Sequence, residues 1–525
     1  MANEKCNNSD DDDDNNLWPS WTSNGRPSTM TKTRRRCQQI PLIWLILGLF
    51  ITLSSPSICE ILRLKNLSSS SSSSPASMNA VVNYSSPMRK NLVKNNDTLI
   101  VSSPSSCLHS NSRHKHHREQ TLRHKHHHKR RDTGSKDQSI ELSKSATNSV
   151  MATNGDSTLR SYTTSNKSIN FTHVELDSIT GNIYVGASNW IFQLDSNTLR
   201  VEHAVRTGPI RDSSICPPSD CSGVDANLVQ ITNNVNKILL VEPYARMLIV
   251  CGSVHQGACT RHRLEDISQH EELIPLPVAS NDENSSTIAF VGPARYFGVQ
   301  LTPILYVAAT DTRIGPYRDM VPAISGRSLE STRLFTIIDR GFADSARVDI
   351  SSNIRDYFLV HYVYGFYAND YVYFAQVQRR SYLRTLEEMG YVTRLSRVCV
   401  SDAGFHTYTE LTLECVNHYS SKSFNDHVVE QFNLLQDATI VKAGADLSDS
   451  FNIERGSLVL IGVFANSHDH TNRPNGGKSA VCVYPITDIE QRFAENIHLC
   501  YNGSVYSRNM DYIAGSVNQC PEPGV

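Results

Sequence analysis

Short runs of β-branched and aromatic residues, separated by turn residues, dominate the sequence from residue 162 to residue 525. Two of these runs, Ile238–Val241 and Met247–Val250, flank a short stretch that contains Pro243. This pattern indicates a β-hairpin. Cys251 and Cys259 follow with glycines between them, so a disulfide across the loop is geometrically easy.

Similar runs recur along this region, whereas long amphipathic helices are nearly absent. Many short antiparallel strands over about 360 residues favour small sheets repeated around an axis, because one twisted sheet of that size would curl or split. The sequence therefore predicts an all-β fold, most simply a β-propeller. The runs are 171–176, 182–187, 190–194, 304–308, 358–364, 371–377, 393–400, 408–415, 438–442, 458–464 and 480–484.

The N-terminal third has a different composition. Residues 1–39 are polar and include an acidic run, which predicts disorder. Residues 40–59 begin with an apolar run that follows Arg34–Arg36 and ends in small residues, the order of a signal peptide. An uncleaved anchor is the alternative, although the run is shorter than the roughly 20 residues that span a bilayer. Either interpretation predicts export.

Residues 60–161 form a low-complexity linker that is predicted to be disordered, with a serine run and a His-rich basic block at 109–131. The block has three interpretations: a solvated linker, a metal site for zinc or copper, and a heparan sulphate site. The net charge of −2 gives no reason to expect nucleic acid as a partner. The basic residues that would contact heparan sulphate are Lys115, Arg118, Lys125, Lys129 and Arg130.

Several motifs together resemble the sema domain of the plexin family. The most informative are TNNVNK at 232–237, CGSVHQGAC at 251–259 and RLED at 263–266. HYVYGF at 361–366 and SAVCVYPITDI at 479–489 are further matches. Gln256-Gly257 argues against semaphorins, and RLED argues against the hepatocyte growth factor receptor family. The resemblance extends over about residues 170–520.

A plexin sema domain implies a seven-bladed β-propeller, here residues 162–525, held by disulfides. The implied pairs are Cys216–Cys221, Cys251–Cys259, Cys415–Cys482 and Cys500–Cys520. Thirteen cysteines in an exported chain are compatible with such bonds. In the family pattern the partner of Cys399 falls beyond residue 525, so we expect Cys399 to be unpaired and the last blade or two to be missing. Such an arc should aggregate or be retained when it is expressed alone.

The resemblance implies binding rather than catalysis. No nucleophile elbow, phosphate-binding loop or metalloprotease motif is found, and His468, Asp469 and His470 lie in a polar stretch typical of a surface loop. We therefore expect no enzyme activity, no cofactor and no metal. The implied partner is the sema domain of a semaphorin, with a co-receptor or a second plexin chain as a further partner.

Ligand contacts in the family lie within loops that correspond to residues 280–355. Aromatic and Arg side chains dominate contact energies, which makes Tyr317, Arg318 and Arg327 the candidates. Seven N-x-S/T sequons follow the apolar run and predict glycosylation of an exported chain: Asn66, Asn83, Asn96, Asn166, Asn170, Asn284 and Asn502.

Three functions are compatible with the sequence. The first is a semaphorin receptor ectodomain fragment, the second is a secreted sema-fold ligand or decoy, and the third is an extracellular propeller enzyme. A convergent group of His and carboxylate side chains in the central channel would favour the third.

Overall fold

The computed structural model describes residues 98–102, 149–152, 158–164, 169–295, 300–312, 315–339, 345–420, 427–501 and 510–515. The predicted signal segment at 40–59 and the His-rich block lie outside the described residues. Three short strands come first, and the third of them along the chain lies between the other two in their sheet. The first two lie inside residues 60–161, where the sequence predicts a linker without secondary structure; β-branched residues in both runs account for the difference. They are β1 (Thr98–Ser102), β2 (Ser149–Ala152) and β3 (Thr158–Thr163).

Five antiparallel sheets then follow one another along the chain, here named sheets I to V. Sheet I contains β4 (Phe171–Leu176), β5 (Asn182–Ala187), β6 (Trp190–Asp195) and β7 (Val201–Arg206). A ribbon of β8 (Ile210–Asp212) and β9 (Gln230–Thr232) leads to sheet II, which contains β10 (Asn236–Glu242), β11 (Met247–Gly252) and β12 (Cys259–Arg263). Sheet III contains β13 (Thr287–Ala294), β14 (Thr302–Ala309), β15 (Ile324–Arg327) and β16 (Arg347–Val348).

Sheet IV contains β17 (His361–Ala368), β18 (Tyr371–Arg379), β19 (Tyr391–Cys399) and β20 (Thr409–Leu413). A second ribbon, β21 (Val416–Ser420) and β22 (His427–Gln431), leads to sheet V, which contains β23 (Leu434–Lys442), β24 (Leu458–Ser467) and β25 (Pro474–Pro485). Two α-helices are described, α1 (Ala445–Phe451) and α2 (Ile486–Tyr501).

The predicted hairpin is formed by β10 and β11, with Val241 opposite Leu248 and Glu242 opposite Met247. The carboxylate of Glu242 closes its turn by accepting the backbone N–H groups of Tyr244 and Ala245, each at 2.8 Å. Side chains of β10 and β11 are buried on both faces of the hairpin, against sheet I on one face and sheet III on the other. Burial on both faces explains why the apolar runs of these strands are nearly continuous.

Neighbouring sheets pack face to face in chain order, and each interface has its own core. Tyr184 of sheet I packs with Leu248 of sheet II, and Ile249 of sheet II packs with Leu305 of sheet III. Phe290 and Phe374 join sheets III and IV, with ring centroids 5.6 Å apart. Another core, including Leu395 and Leu460, joins sheets IV and V. Small sheets packed successively in this way form a β-propeller, which confirms the predicted class.

Helix α2 departs from the expectation that long amphipathic helices are nearly absent. Ile486, Ile489 and Phe493 are at most 4% exposed, and all three belong to the core between sheets IV and V. Their spacing of three and four residues follows the helical period. Among the described residues, no helix combines the length and the apolar character that a membrane span requires.

Residues 510–515 return to sheets III and IV. Ile513 forms a β-bridge with Ile350, and the ring of Tyr512 lies 4.6 Å from that of Phe358. The hydroxyl of Tyr512 donates to Glu410, which is fully buried and lies 3.0 Å from the guanidinium of Arg394. This segment therefore covers a buried ion pair on sheet IV.

Candidate partner-binding site

Strands β10, β13 and β17 begin at Asn236, Thr287 and His361. We call the end of sheets II, III and IV at which these strands begin the entry end. Hydrogen bonds join these beginnings directly. Lys237 at the start of β10 donates from Nζ to the carbonyl oxygens of Glu283 and Ser285, both at 2.8 Å. Ser286 accepts the backbone N–H of Tyr362 at 2.8 Å. Burial lowers the pKa of Lys237 to about 8, against the opposing effect of nearby carboxylates. The loops at the entry end are thus fixed to one another.

Gln256 is the centre of this arrangement. It is 2% exposed and has φ of 58°, between the two cysteines of the CGSVHQGAC motif. Its Nε2 donates to the carbonyl oxygens of Ser213 at 3.1 Å and Cys216 at 2.7 Å, while its Oε1 accepts from Asn281 at 2.7 Å. Three loops that are distant in sequence therefore meet at one side chain.

The loop closed by Cys216 and Cys221 is the first of the three. It connects β8 to β9, and the carboxylate of Asp212 at the end of β8 accepts the backbone N–H of His255 at 2.9 Å. Gly315 packs against the same loop, since a Cβ there would lie 2.1 Å from the carbonyl oxygen of Ser214. The disulfide loop is therefore held from both sides.

Tyr317 and Arg318 follow Gly315, and both are partly exposed. Nη1 of Arg318 lies 2.9 Å from Asp356, and Asp319 accepts from Arg355 at 2.7 Å. The hydrogen bond to Asp356 raises the pKa of Arg318. The surface around Arg318 therefore carries alternating positive and negative charges, on short loops that ion pairs connect.

A crevice separates these residues from Gln256 and Asn281. Its volume is about 10 Å³, with Thr310, Asp311 and Thr312 on its other walls. That is room for about one water molecule. This part of the structure therefore suits contact with another macromolecule and not enclosure of a small substrate.

Arg327 is a correction to the predicted contact residues. It is 2% exposed; its Nε donates to Ser325 at 3.0 Å and its Nη1 donates to the carbonyl oxygen of Phe335 at 3.0 Å. Burial lowers its pKa to about 9. A guanidinium enclosed in this way is not presented to a partner, because β15 is a central strand of sheet III and not a surface loop.

Disulfides join Cys216 to Cys221, Cys251 to Cys259 and Cys415 to Cys482, the pairings that the resemblance implies. Cys399 is also disulfide-bonded, so the expectation that it lacks a partner is wrong. Cys500 is disulfide-bonded as well, but Cys520 lies outside the described residues and the Cys500–Cys520 pair stays a prediction.

Two of the predicted glycosylation sites are described, and both are exposed: Asn170 at the start of β4 and Asn284 in the loop that Lys237 holds. The other five sequons lie outside the described residues. Within the described part of the chain, the one group of three possible metal ligands is Asp212 with Cys216 and Cys221, and both of those sulfur atoms belong to a disulfide.

The structure places Tyr317 and Arg318 close to Asn281, Arg355 and Asp356, which the sequence did not single out. Asn281 lies in a polar stretch between sheets II and III, and its hydrogen bond to Gln256 brings it into the site. Arg355 and Asp356 lie about 40 residues beyond Arg318, so no local pattern connects them.

Comparisons with known proteins agree with this architecture. The model of the Sema domain family matches residues 435–522. Plexin-A2 of Mus musculus is 27% identical over 377 residues, which cover 69% of this chain and 19% of that protein. Plexin-A4 of Homo sapiens is 30% identical over 348 residues, which cover 63% of this chain and 17% of that protein. A solved structure of the plexin A4 full extracellular region has a TM-score of 0.52 at 27% identity, covering 63% of this chain and 36% of that one.

These matches support a plexin-family sema domain. The chain spans about a fifth of the length of the curated plexins that it matches. The same matches support membership of the semaphorin–plexin signalling family. In this plexin-type domain, the entry end of sheets II and III is a rigid, charged surface with partly exposed aromatic and Arg side chains.

Proposed function

We propose that this sema domain is the ligand-binding part of a receptor ectodomain and that it binds the sema domain of a semaphorin through the entry end of sheets II and III. The convergence of three loops on Gln256 is the observation that carries the proposal. Loops fixed before binding lose little conformational entropy when a partner docks, so more of the contact energy becomes affinity.

Tyr317 and Arg318 supply the contacts. Tyrosine and arginine are the side chains that most often dominate the energy of an interface. Asp319 pairs with both Arg318 and Arg355, whereas Asp356 pairs with Arg318. A partner carboxylate can replace Asp356 on Arg318, because the Asp356 side chain is exposed and water can solvate its displaced charge. A ligand with two such sites would bring two receptors together, and modest single-site affinity would then suffice for clustering.

Replacing Tyr317 by Ala tests the proposal. We expect at least a tenfold increase in the Kd for a semaphorin ectodomain, measured by surface plasmon resonance with the immobilised chain. Tyr244→Ala is the matched control, because Tyr244 is 72% exposed in the turn between β10 and β11, at the opposite end of sheet II. Equal losses in both variants, or no loss in Tyr317→Ala, would contradict the proposed site.

The finer location and modification follow the same proposal. In this proposal the domain acts on the extracellular side of the plasma membrane, and the chain expressed alone is secreted or retained. Asn170 and Asn284 are glycosylated, since both are exposed sequon residues. Treatment with an endoglycosidase should increase the electrophoretic mobility of the wild-type chain. The increase should be smaller for Asn284→Gln, by the contribution of one glycan.

Further partners are proposed for the His-rich block and for the receptor. The basic residues at 115, 118, 125, 129 and 130 bind heparan sulphate, and a co-receptor or second plexin chain joins the complex. The chain and a variant that lacks residues 109–131 can be compared on immobilised heparin. Elution of both at the same salt concentration would count against heparan sulphate binding.

A further inference from the structure

The segment that follows β12 pairs with this strand along the edge of sheet II. Residues 269–274 pair with β12 through bridges at Cys259 with Ile274 and at His262 with His270. Before it pairs, the segment turns through Leu264 and Ile267, both of which have no exposed surface. These two side chains lie in the core shared by sheets I and II. The segment 264–274 therefore holds two sheets together, and we call it the edge segment.

His262 holds the edge segment from inside. Its ring is 3% exposed; Nδ1 donates to the carbonyl oxygen of Ile267 at 2.7 Å, and Nε2 lies 2.9 Å from the hydroxyl of Thr260. The ring of His270 lies 5.1 Å away. A neutral imidazole satisfies this geometry, because one nitrogen donates and the other accepts.

We propose that the edge segment is an acid-sensitive latch, released when the imidazole of His262 is exposed and protonated. The pKa of His262 is lowered to about 4, mainly by burial and to a smaller extent by His270, while the bond to Ile267 opposes both effects. An exposed imidazole has a pKa of about 6.5. Protonation therefore favours the open form in the window between about pH 6.5 and pH 4, and the latch is closed above that window.

Charged and polar groups of the neighbouring elements affect how readily the edge segment opens. On the edge segment, Glu271 accepts a bidentate bond from Arg261 of β12. From sheet I, Gln193 links Glu202 to the backbone of Glu265 and Ile267. His203 of β7 lies 3.1 Å from Asp266.

These groups differ in their effect on release. When His203 is protonated it attracts Asp266 and opposes release, whereas a protonated His270 repels a protonated His262 and promotes it. The bidentate pair of Arg261 with Glu271 resists release.

Hydrogen exchange on the intact chain tests the latch. From pH 7.4 to pH 5.0, we expect the protection of backbone amides in residues 264–274, corrected for intrinsic exchange, to fall by about 30-fold. Amides of β18 and β19 serve as the internal reference and should change little. In His262→Gln, whose amide can both donate and accept, the fall should disappear. An unchanged edge segment in the wild type, or an equal fall in His262→Gln, would overturn the proposal.

A second measurement is independent of how well that variant folds. The pKa of His262 in the wild-type chain, followed by NMR of the ring, should lie near 4. A value near 6.5 with the edge segment closed would overturn the proposal. Neither measurement involves a ligand, so its failure would leave the proposed semaphorin site untouched.

Discussion

At the scale of single residues, Arg394 and Glu410 form a buried ion pair in sheet IV. Glu410 has no exposed side-chain surface and accepts hydrogen bonds from Tyr408 and Tyr512. Burial raises the pKa of both tyrosines far above its usual value, so their hydroxyls stay protonated and act as donors. The charge of Glu410 is thus compensated within the core.

Glu410→Gln should destabilise the chain by about 3 to 5 kcal/mol, because it leaves the Arg394 charge buried without a counterion. The free energy of unfolding from urea denaturation measures the effect. Glu495→Gln is the control, since Glu495 pairs with Arg492 on the exposed face of α2 and its loss should leave the midpoint unchanged. If the Glu410→Gln variant were as stable as the control, the ion pair of Arg394 and Glu410 would contribute little to the free energy of unfolding.

At the scale of elements, the turn between β11 and β12 depends on one glycine. Gly257 has φ of 78°, and a Cβ there would lie 1.9 Å from the carbonyl oxygen of Ala279. The same turn carries Gln256, so its backbone sets the position of the three loops at the entry end.

Gly257→Ala should lower the free energy of unfolding by at least about 2 kcal/mol, because a side chain is strained at positive φ and the contact with Ala279 must open. Urea denaturation gives the value. Gly476→Ala in β25 is the matched control: a Cβ there meets nothing within 4 Å, so its effect should stay within about 0.5 kcal/mol. Similar midpoints for the two variants would contradict the proposed role of Gly257.

At the scale of the whole molecule, disulfides differ in the length of chain that they close. Cys415 and Cys482 are 67 residues apart and tie the ribbon of β21 and β22 to sheet V, whereas Cys251 and Cys259 are 8 residues apart in neighbouring strands. The longer loop restricts the unfolded chain more.

Removing the long link with Cys415→Ala and Cys482→Ala should cost about 4 kcal/mol, against about 2.5 kcal/mol for Cys251→Ala with Cys259→Ala. Thermal and urea unfolding of the two double variants under non-reducing conditions measure the difference. The reverse order would mean that local packing around Cys251, and not loop closure, decides the contribution of these bonds.

The sequence by itself determined the all-β class, the positions of most strands and the three short-range features of sheet II: its hairpin, its disulfide loop and its apolar runs. These depend on period-two patterns, turn residues and spacing, which act between residues close in the chain. Within the region that the resemblance to plexins indicated, Tyr317 and Arg318 were candidates on composition, and their role as contacts stays a prediction.

Only the tertiary structure decided which charged residues are buried and which loops meet. Arg327 and Arg318 are nine residues apart and equally polar, yet one lies in a central strand and the other on a surface turn. The contacts of Gln256 with Cys216 and of Glu410 with Tyr512 join residues 40 and 102 positions apart. Local sequence does not encode such contacts, because they arise when sheets pack and the loops between them are brought to one end.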